Sequence, residues 1–127
     1  MSELPTPTGR ELDILKVLWE RGPSTVREVY KELAQGADAD LAYNTVQTLL
    51  RLMEDKGLAT HEVHGRKFVY TARYTRDDSA AGFLDRVFDG AAGDLVQSLL
   101  RSERIAPEEL ERMQAMIAAA RRSAKDR

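Results

Sequence analysis

The stretch that decides the fold is residues 43–72, which read YNTVQTLLRLMEDKG and then LATHEVHGRKFVYTA. In the first half, apolar residues recur every three or four positions, which predicts an amphipathic helix that Gly57 ends. In the second half, residues 58–63 and 67–72 are extended runs on either side of Gly65, a residue that permits the positive φ of a tight loop. The stretch therefore predicts a helix followed by a β-hairpin.

Two further helices precede this stretch, each opened by a threonine with a glutamate three residues later. Thr8 with Glu11 and Thr25 with Glu28 have the form of capping boxes. The first helix then runs to about Arg21 and the second to near Gly36. Three helices and a hairpin in this order predict a mostly α (α+β) fold, with an N-terminal winged helix-turn-helix head over residues 1–75 and a two-stranded wing.

The remaining chain, residues 76–127, predicts a helical module. Residues 76–79 read as a polar hinge and helix cap, followed by helices over 80–89, over 92–101 and from Pro107 onward. About 50 residues in three short helices cannot bury their apolar faces alone, and a second copy is the economical partner. We expect a three-helix C-terminal dimerisation domain whose interface uses Phe83, Leu84, Val87, Phe88, Leu95, Leu99, Leu110, Met113 and Ile117.

Composition narrows the classes of function. The 127 residues carry no cysteine, which excludes disulfides and thiolate metal sites, and we expect no cofactor. No nucleophile elbow or glycine-rich phosphate loop is present, so we predict that the chain is not an enzyme. We see no signal peptide and no apolar segment of membrane-spanning length, which predicts a cytoplasmic protein that does not act at a membrane.

The outward face of the third helix is polar and suits double-stranded DNA. Asparagine and glutamine pair with adenine, arginine pairs with guanine, and a threonine methyl can touch a thymine methyl. Arg66 and Lys67 at the hairpin tip suit phosphates or the minor groove. The predicted DNA-binding residues are Asn44, Thr45, Gln47, Thr48, Arg51, Arg66 and Lys67.

Charge alone leaves an alternative open. Residues 41–76 carry six basic and three acidic side chains, but the whole chain has a net charge of −2. A winged-helix module that binds protein and not DNA would fit this negative charge better. A steep loss of duplex binding with salt would identify the DNA-binding class.

Other residues have plainer interpretations. We expect Phe68 and Tyr70 to belong to the core of the head, because single-strand binders need exposed aromatic side chains. His61, Glu62 and His64 lack a further Cys or His to complete a metal site, so we predict surface positions on the wing and no metal. Asp77 and Asp78 are adjacent, which suits a cap and not an acid–base pair.

Residues 44–57 together with 65–70 and 11–19 resemble the penicillinase-repressor family of BlaI, MecI and CopY type. The resemblance extends over nearly the whole chain, including residues 83–90 and the Pro-Glu-Glu-Leu at 107–110. It implies a homodimeric repressor whose heads bind a palindromic operator. It also implies release through a sensor-linked protease that cuts the dimerisation region, near Ser98 and Leu99 here. Copper-responsive members use cysteine pairs, which this chain lacks.

Overall fold

The computed structural model describes residues 5–36 and 39–126 of the chain. Within these ranges the elements follow one another as α1 (Gly9–Arg21), β1 (Ser24–Thr25), α2 (Val26–Ala34), α3 (Tyr43–Asp55), β2 (Ala59–His64), β3 (Lys67–Ala72), α4 (Arg76–Phe88), α5 (Ala92–Arg101) and α6 (Pro107–Lys125). The chain divides into two compact units, Met1–Gly82 and Phe83–Arg127. No helix of the described ranges is both long and apolar enough to cross a membrane.

Both predicted capping boxes are present and set where α1 and α2 begin. The Glu11 amide donates to Thr8 Oγ1 at 3.2 Å, and the Thr8 amide donates to Glu11 Oε1 at 2.9 Å. Thr25 and Glu28 form the same reciprocal pair. Each box satisfies backbone N–H groups that the first helical turn leaves without a partner. The starts of the first two helices are therefore fixed by local sequence.

The N-terminal unit has one hydrophobic core, built from the apolar faces of three helices and the base of the sheet. Its buried members are Ile14, Leu15, Leu18, Val26, Val29, Leu33, Leu41, Val46, Leu50, Met53, Leu58, Ala59, Tyr70 and Tyr74. The α3 contribution recurs at spacings of four and three, so one face of this helix turns inward. The opposite face of α3 is consequently presented to solvent.

The sheet has three strands, one more than the two-stranded wing predicted. Its order is β1-β3-β2, and both pairings are antiparallel. The added strand is only Ser24–Thr25, which pairs with Tyr70 and Val69. Two residues are too few to show the alternation that predicts a strand from sequence. This pairing ties the base of the wing to the start of α2.

The start of α4 also differs from the sequence prediction. The helix begins at Arg76, four residues before the expected start, so interpreting residues 76–79 as a hinge was wrong. The Thr75 amide donates to Asp78 Oδ2 at 2.8 Å, and the Asp78 amide donates to Thr75 Oγ1 at 2.9 Å. An aspartate three residues after the threonine closes the same kind of box as a glutamate. The predicted capping role of Asp78 is confirmed.

The first turn of α4 is attached to α1 through a single tryptophan. Trp19 Nε1 donates to the Tyr74 carbonyl oxygen at 2.9 Å, and Tyr74 is buried. The Arg76 guanidinium lies over the Trp19 ring, 5.2 Å from its centroid. Residues 55 positions apart in the chain are thus joined at one point of the N-terminal unit.

Candidate nucleic-acid interface

Five of the predicted DNA-binding side chains lie on the outer face of α3. Asn44, Thr45, Thr48 and Arg51 are exposed, and Gln47 is half-buried. On the inner face, Val46, Leu50 and Met53 are fully buried. Burial of one face fixes the rotation of the helix about its axis, so the polar face cannot turn away from solvent. The structure thus places these five residues on a presentable surface, and their contact with DNA stays a prediction.

The other two predicted residues lie at the tip of the wing. Gly65 has φ 66°, a value that glycine adopts without strain, and it closes the loop between β2 and β3. Arg66 and Lys67 follow it and are exposed. Val63 pairs with Phe68 and His64 with Lys67 up to the tip of the hairpin. Arg66 and Lys67 therefore lie at the end of a regularly paired β-hairpin.

A cleft of about 510 Å³ lies between α2, α3 and β3. It brings together four of the predicted residues, Gln47, Arg51, Arg66 and Lys67, whereas Asn44, Thr45 and Thr48 do not line it. Two residues that sequence reasoning missed, Arg27 and Lys31 of α2, form its other wall. The available signal was a pair of basic residues four apart on α2, a spacing that puts both on one helix face.

The single carboxylate that lines this cleft is occupied by other partners. Glu28 Oε1 accepts from the Thr25 amide at 2.8 Å, and Oε2 accepts from Arg21 Nη2 at 3.0 Å. The backbone hydrogen bond from Thr25 is the largest influence on the pKa of Glu28, and together with Arg21 and Lys67 it lowers this pKa. The carboxylate therefore stays charged but does not form an ion pair with a cation of the cleft.

Phe68 and Tyr70 have different environments, so the expectation for the pair was half wrong. Tyr70 is 1% exposed and belongs to the core, which is confirmed, whereas Phe68 is 41% exposed. Burial is the main reason that the pKa of Tyr70 is raised. Phe68 lies nearer the wing tip, beyond the body of the head, where its ring stacks on His61 with centroids 4.1 Å apart.

His61 connects the wing to α3. Its Nδ1 lies 2.5 Å from Glu54 Oε1, and both side chains are partly buried. His64 also contacts an acid, with its Nε2 3.2 Å from Glu62 Oε2, but that pair is exposed. In the described part of the chain, no three His, Asp or Glu residues are grouped so that they could hold a metal ion.

The predicted dimerisation residues lie on α4, α5 and α6, and none of the residues of these helices is buried. Leu84, Phe88, Leu95 and Met113 are half-buried. Phe83, Val87, Leu99, Leu110 and Ile117 are exposed to 38–55%. Ser98 and Leu99 lie inside α5, where the Leu99 carbonyl oxygen accepts from Ser102 Oγ at 2.6 Å.

Three helices, a hairpin and a polar outward face on the third helix define the N-terminal unit as a winged-helix domain. Residues 7–119 match the model of the family described as penicillinase repressor. The penicillinase repressor of Bacillus licheniformis is 30% identical over 114 residues, covering 87% of this chain and 88% of the relative. The transcriptional regulator BlaI of Mycobacterium tuberculosis is 34% identical over 85 residues, covering 66% of this chain and 60% of the relative.

Two solved structures resemble the N-terminal part. The solution structure of the DNA-binding domain of the repressor BlaI matches with TM-score 0.53 and 33% identity, covering 61% of this chain and 93% of that one. The Bacillus licheniformis BlaI monomeric form in complex with the blaP half-operator matches with TM-score 0.52 at the same identity and coverage. The chain belongs to the penicillinase repressor family.

Proposed function

We propose that this chain is a homodimeric transcriptional repressor that binds a palindromic operator and has no catalytic activity. The observation that carries the proposal is the polar outer face of α3 beside the wing cations Arg66 and Lys67, on a head that resembles a half-operator-bound BlaI. Repression follows from occupancy, since a head seated in the major groove at a promoter excludes other proteins. Such a repressor works in the cytoplasm, where the chromosome lies.

The residues divide into two roles. Asn44, Gln47 and Arg51 carry amide and guanidinium groups that can bond base edges, and Thr45 and Thr48 can contact a thymine methyl or a phosphate. Arg66 and Lys67 stand on the wing, where charge without fixed geometry suits phosphates. Base contacts set which sequence is bound, whereas phosphate contacts strengthen binding to any duplex.

The C-terminal helices support the dimer. Apolar side chains such as Val87 and Ile117, each 55% exposed, cost free energy in water that a second copy would recover by covering them. A two-fold dimer presents two identical heads, which matches a site made of two inverted half-sites. Linking the heads raises the effective concentration of the second head once the first is bound.

Derepression is proposed to follow cleavage between Ser98 and Leu99 by a sensor-linked protease. The bond lies within α5, so its segment has to unwind before it can enter a protease cleft. Cleavage there would separate Leu99, Leu110, Met113 and Ile117 from the heads. Loss of these side chains weakens the dimer, and single heads then dissociate from the operator.

The test begins with selection of a binding site from a randomised duplex pool by the full chain, followed by gel shifts on the selected and a scrambled duplex. We expect Arg51→Ala to weaken binding to the selected duplex by about 1–3 kcal/mol and to relax its sequence preference. Lys67→Ala should weaken both duplexes equally, because phosphates are the same in both. Equal losses for Arg51→Ala on both duplexes would remove it from the base readers.

The same gel shifts distinguish the other class of function. A protein-binding module would enrich no sequence and would show no salt-dependent duplex affinity. That result would overturn the proposed repressor function as a whole.

A further inference from the structure

We propose that α2 supplies a second phosphate-binding wall, in which Arg27 is held in position by Tyr43 and acts together with Lys31. The inference rests on the proposed function and adds to it a site opposite the wing. In this arrangement the sugar–phosphate backbone of one DNA strand lies in the cleft between α2 and β3. Cationic side chains on both walls of the cleft then contact its phosphates.

The lining of the cleft is strongly cationic. Five cations line it: Arg27 and Lys31 from α2, Arg51 from α3, and Arg66 and Lys67 from the wing. Among the residues that the structure describes, the ion pairs of Arg21, Lys56, His61, His64 and Arg112 involve none of these five cations. Glu28 is the carboxylate of the lining, and it already forms an ion pair with Arg21. The five cations therefore outnumber the acid in the cleft, and their mutual repulsion favours the entry of a further anion.

Arg27 is the cation with the most defined position. Its guanidinium carbon lies 5.4 Å from the centroid of the Tyr43 ring. The Tyr43 ring in turn contacts Tyr30 edge-on, with centroids 5.6 Å apart and an interplanar angle of 75°. A guanidinium held over an aromatic face keeps its N–H edges free for a phosphate, and less side-chain entropy is lost on binding. Tyr43 is thus a positioning residue for Arg27.

Lys31 follows Arg27 by one helical turn and lies on the same wall. Lys67 on the wing is close enough to α2 to lower the pKa of Glu28, after the larger influences of Thr25 and Arg21. The wing tip and the start of α2 therefore face the same space. The ligand class that fits is a polyanion, because its negative charges can contact the cations of both walls at once.

The experiment measures duplex affinity against salt for the full chain carrying Arg27→Ala or Lys31→Ala, with Lys16→Ala as the control. Lys16 is an exposed cation of α1 that does not line the cleft. We expect each α2 variant to bind selected and scrambled duplexes about tenfold more weakly, because a charged hydrogen bond is lost. The slope of log affinity against log salt should become shallower by about 0.9, as for one lost phosphate contact. Lys16→Ala should match the unmodified chain.

Variants of Tyr43 distinguish a role in positioning Arg27 from a role in folding alone. Tyr43→Phe keeps the ring and should bind as the unmodified chain does, whereas Tyr43→Leu removes the ring and should weaken binding about threefold. Adding Tyr43→Leu to Arg27→Ala should cost nothing further, because the cation that the ring positions is already gone. Equal additional weakening in the double variant would overturn the positioning role.

The outcomes distinguish the two proposals. If the unmodified chain binds no duplex, the repressor function itself fails. If it binds, but Arg27→Ala and Lys31→Ala keep its affinity and salt slope, the repressor function stands and the α2 wall is wrong. A loss confined to the selected duplex would make these residues base readers and would overturn their assignment to phosphates.

Discussion

Glu11 is a charged residue placed almost entirely out of solvent, with 1% of its surface exposed. Its two oxygens have different partners: Oε1 accepts from the Thr8 amide, and Oε2 accepts from Lys56 Nζ at 2.8 Å. Burial alone would raise its pKa, but the hydrogen bonds from Lys56 and Thr8 outweigh burial, and the pKa is lowered. One carboxylate thereby begins α1 and holds the end of α3.

A lowered pKa makes Glu11 a source of acid sensitivity. A carboxyl whose folded pKa lies below its unfolded value stabilises the fold above the unfolded pKa, and this stabilisation is lost as the pH falls through the folded pKa. Glu11→Gln should lower the free energy of unfolding by about 1–2 kcal/mol at pH 7, through loss of the charged bond to Lys56. It should also flatten the fall of stability below about pH 4.5, the ordinary pKa of a glutamate.

Urea unfolding between pH 7 and pH 3 measures both effects. Glu20→Gln, an exposed change on the same helix, is the matched control and should follow the unmodified chain. A pH dependence for Glu11→Gln as steep as that of the unmodified chain would show that Glu11 is not the acid-sensitive group.

At the scale of elements, the base of the wing is packed into the core through Ala59 and Tyr70. Two further attachments add to this packing: the residue pairs that β1 forms with β3, and the contacts of His61. The His61 ring stacks on Phe68 of β3, and its Nδ1 bonds Glu54 of α3. His61 belongs to β2 and contacts both β3 and α3, so it acts as a brace that holds the wing at a fixed angle to α3.

We expect His61→Ala to lower the free energy of unfolding by about 1 kcal/mol and to speed amide hydrogen exchange in β2 and β3, since the hydrogen bond and the ring contact are lost together. The chain offers a matched control in His64→Ala, which breaks a His–Glu pair of 61% and 82% exposed side chains. Exposed pairs contribute little, so the control should change stability by less than about 0.5 kcal/mol. Equal effects of the two substitutions would contradict the brace.

Local chemistry explains how much of these elements could be predicted from sequence. The capping boxes of α1 and α2 and the loop glycine of the hairpin act over three or four residues, and each was found. The Thr75–Asp78 box follows the same logic, and the sequence predicts a cap there, but the polar residues 76–79 favour a hinge and so place the start of the helix four residues too late. β1 and the Glu11–Lys56 and His61–Glu54 pairs depend on tertiary approach, which spacing in the sequence does not encode.

The candidate site divides in the same way. Helical periodicity alone identified the outer face of α3, because burial of Val46 and Leu50 fixes the direction of Asn44 and Arg51. The α2 wall could not be predicted from the sequence, because Arg27 lies beside Tyr43 only in the folded chain, where the two residues belong to different helices. Surfaces that combine several elements are therefore what sequence reasoning misses.

At the scale of the whole molecule, α4, α5 and α6 carry the apolar surface that a partner copy would cover. Val87→Asp and Ile117→Asp should convert a dimer to monomers, because a charge buried in an apolar interface is costly. Sedimentation equilibrium measures this change, with Gln97→Asp as a control that adds the same charge at an exposed polar position of α5. A chain truncated after Ser98 should behave as the Val87 and Ile117 variants do.

The same variants should lose affinity for a complete operator but keep affinity for a single half-site. Affinity for a duplex with two half-sites should fall about 10²- to 10⁴-fold, whereas affinity for a single half-site should stay unchanged. Monomers that keep full affinity for the double site would contradict the role of these helices in repression.

Trp19 gives the molecule an optical signal of its own. It is the sole tryptophan of the chain, and its indole nitrogen, its hydrogen bond to Tyr74 and the cation above its ring all belong to the joint between α1 and the first turn of α4. Because the chain has no other indole, fluorescence excited selectively at tryptophan reports on that joint without any attached dye. Emission that moves to longer wavelength during denaturation reports exposure of the Trp19 ring to water, and quenching by acrylamide reports how accessible this ring is in the folded protein.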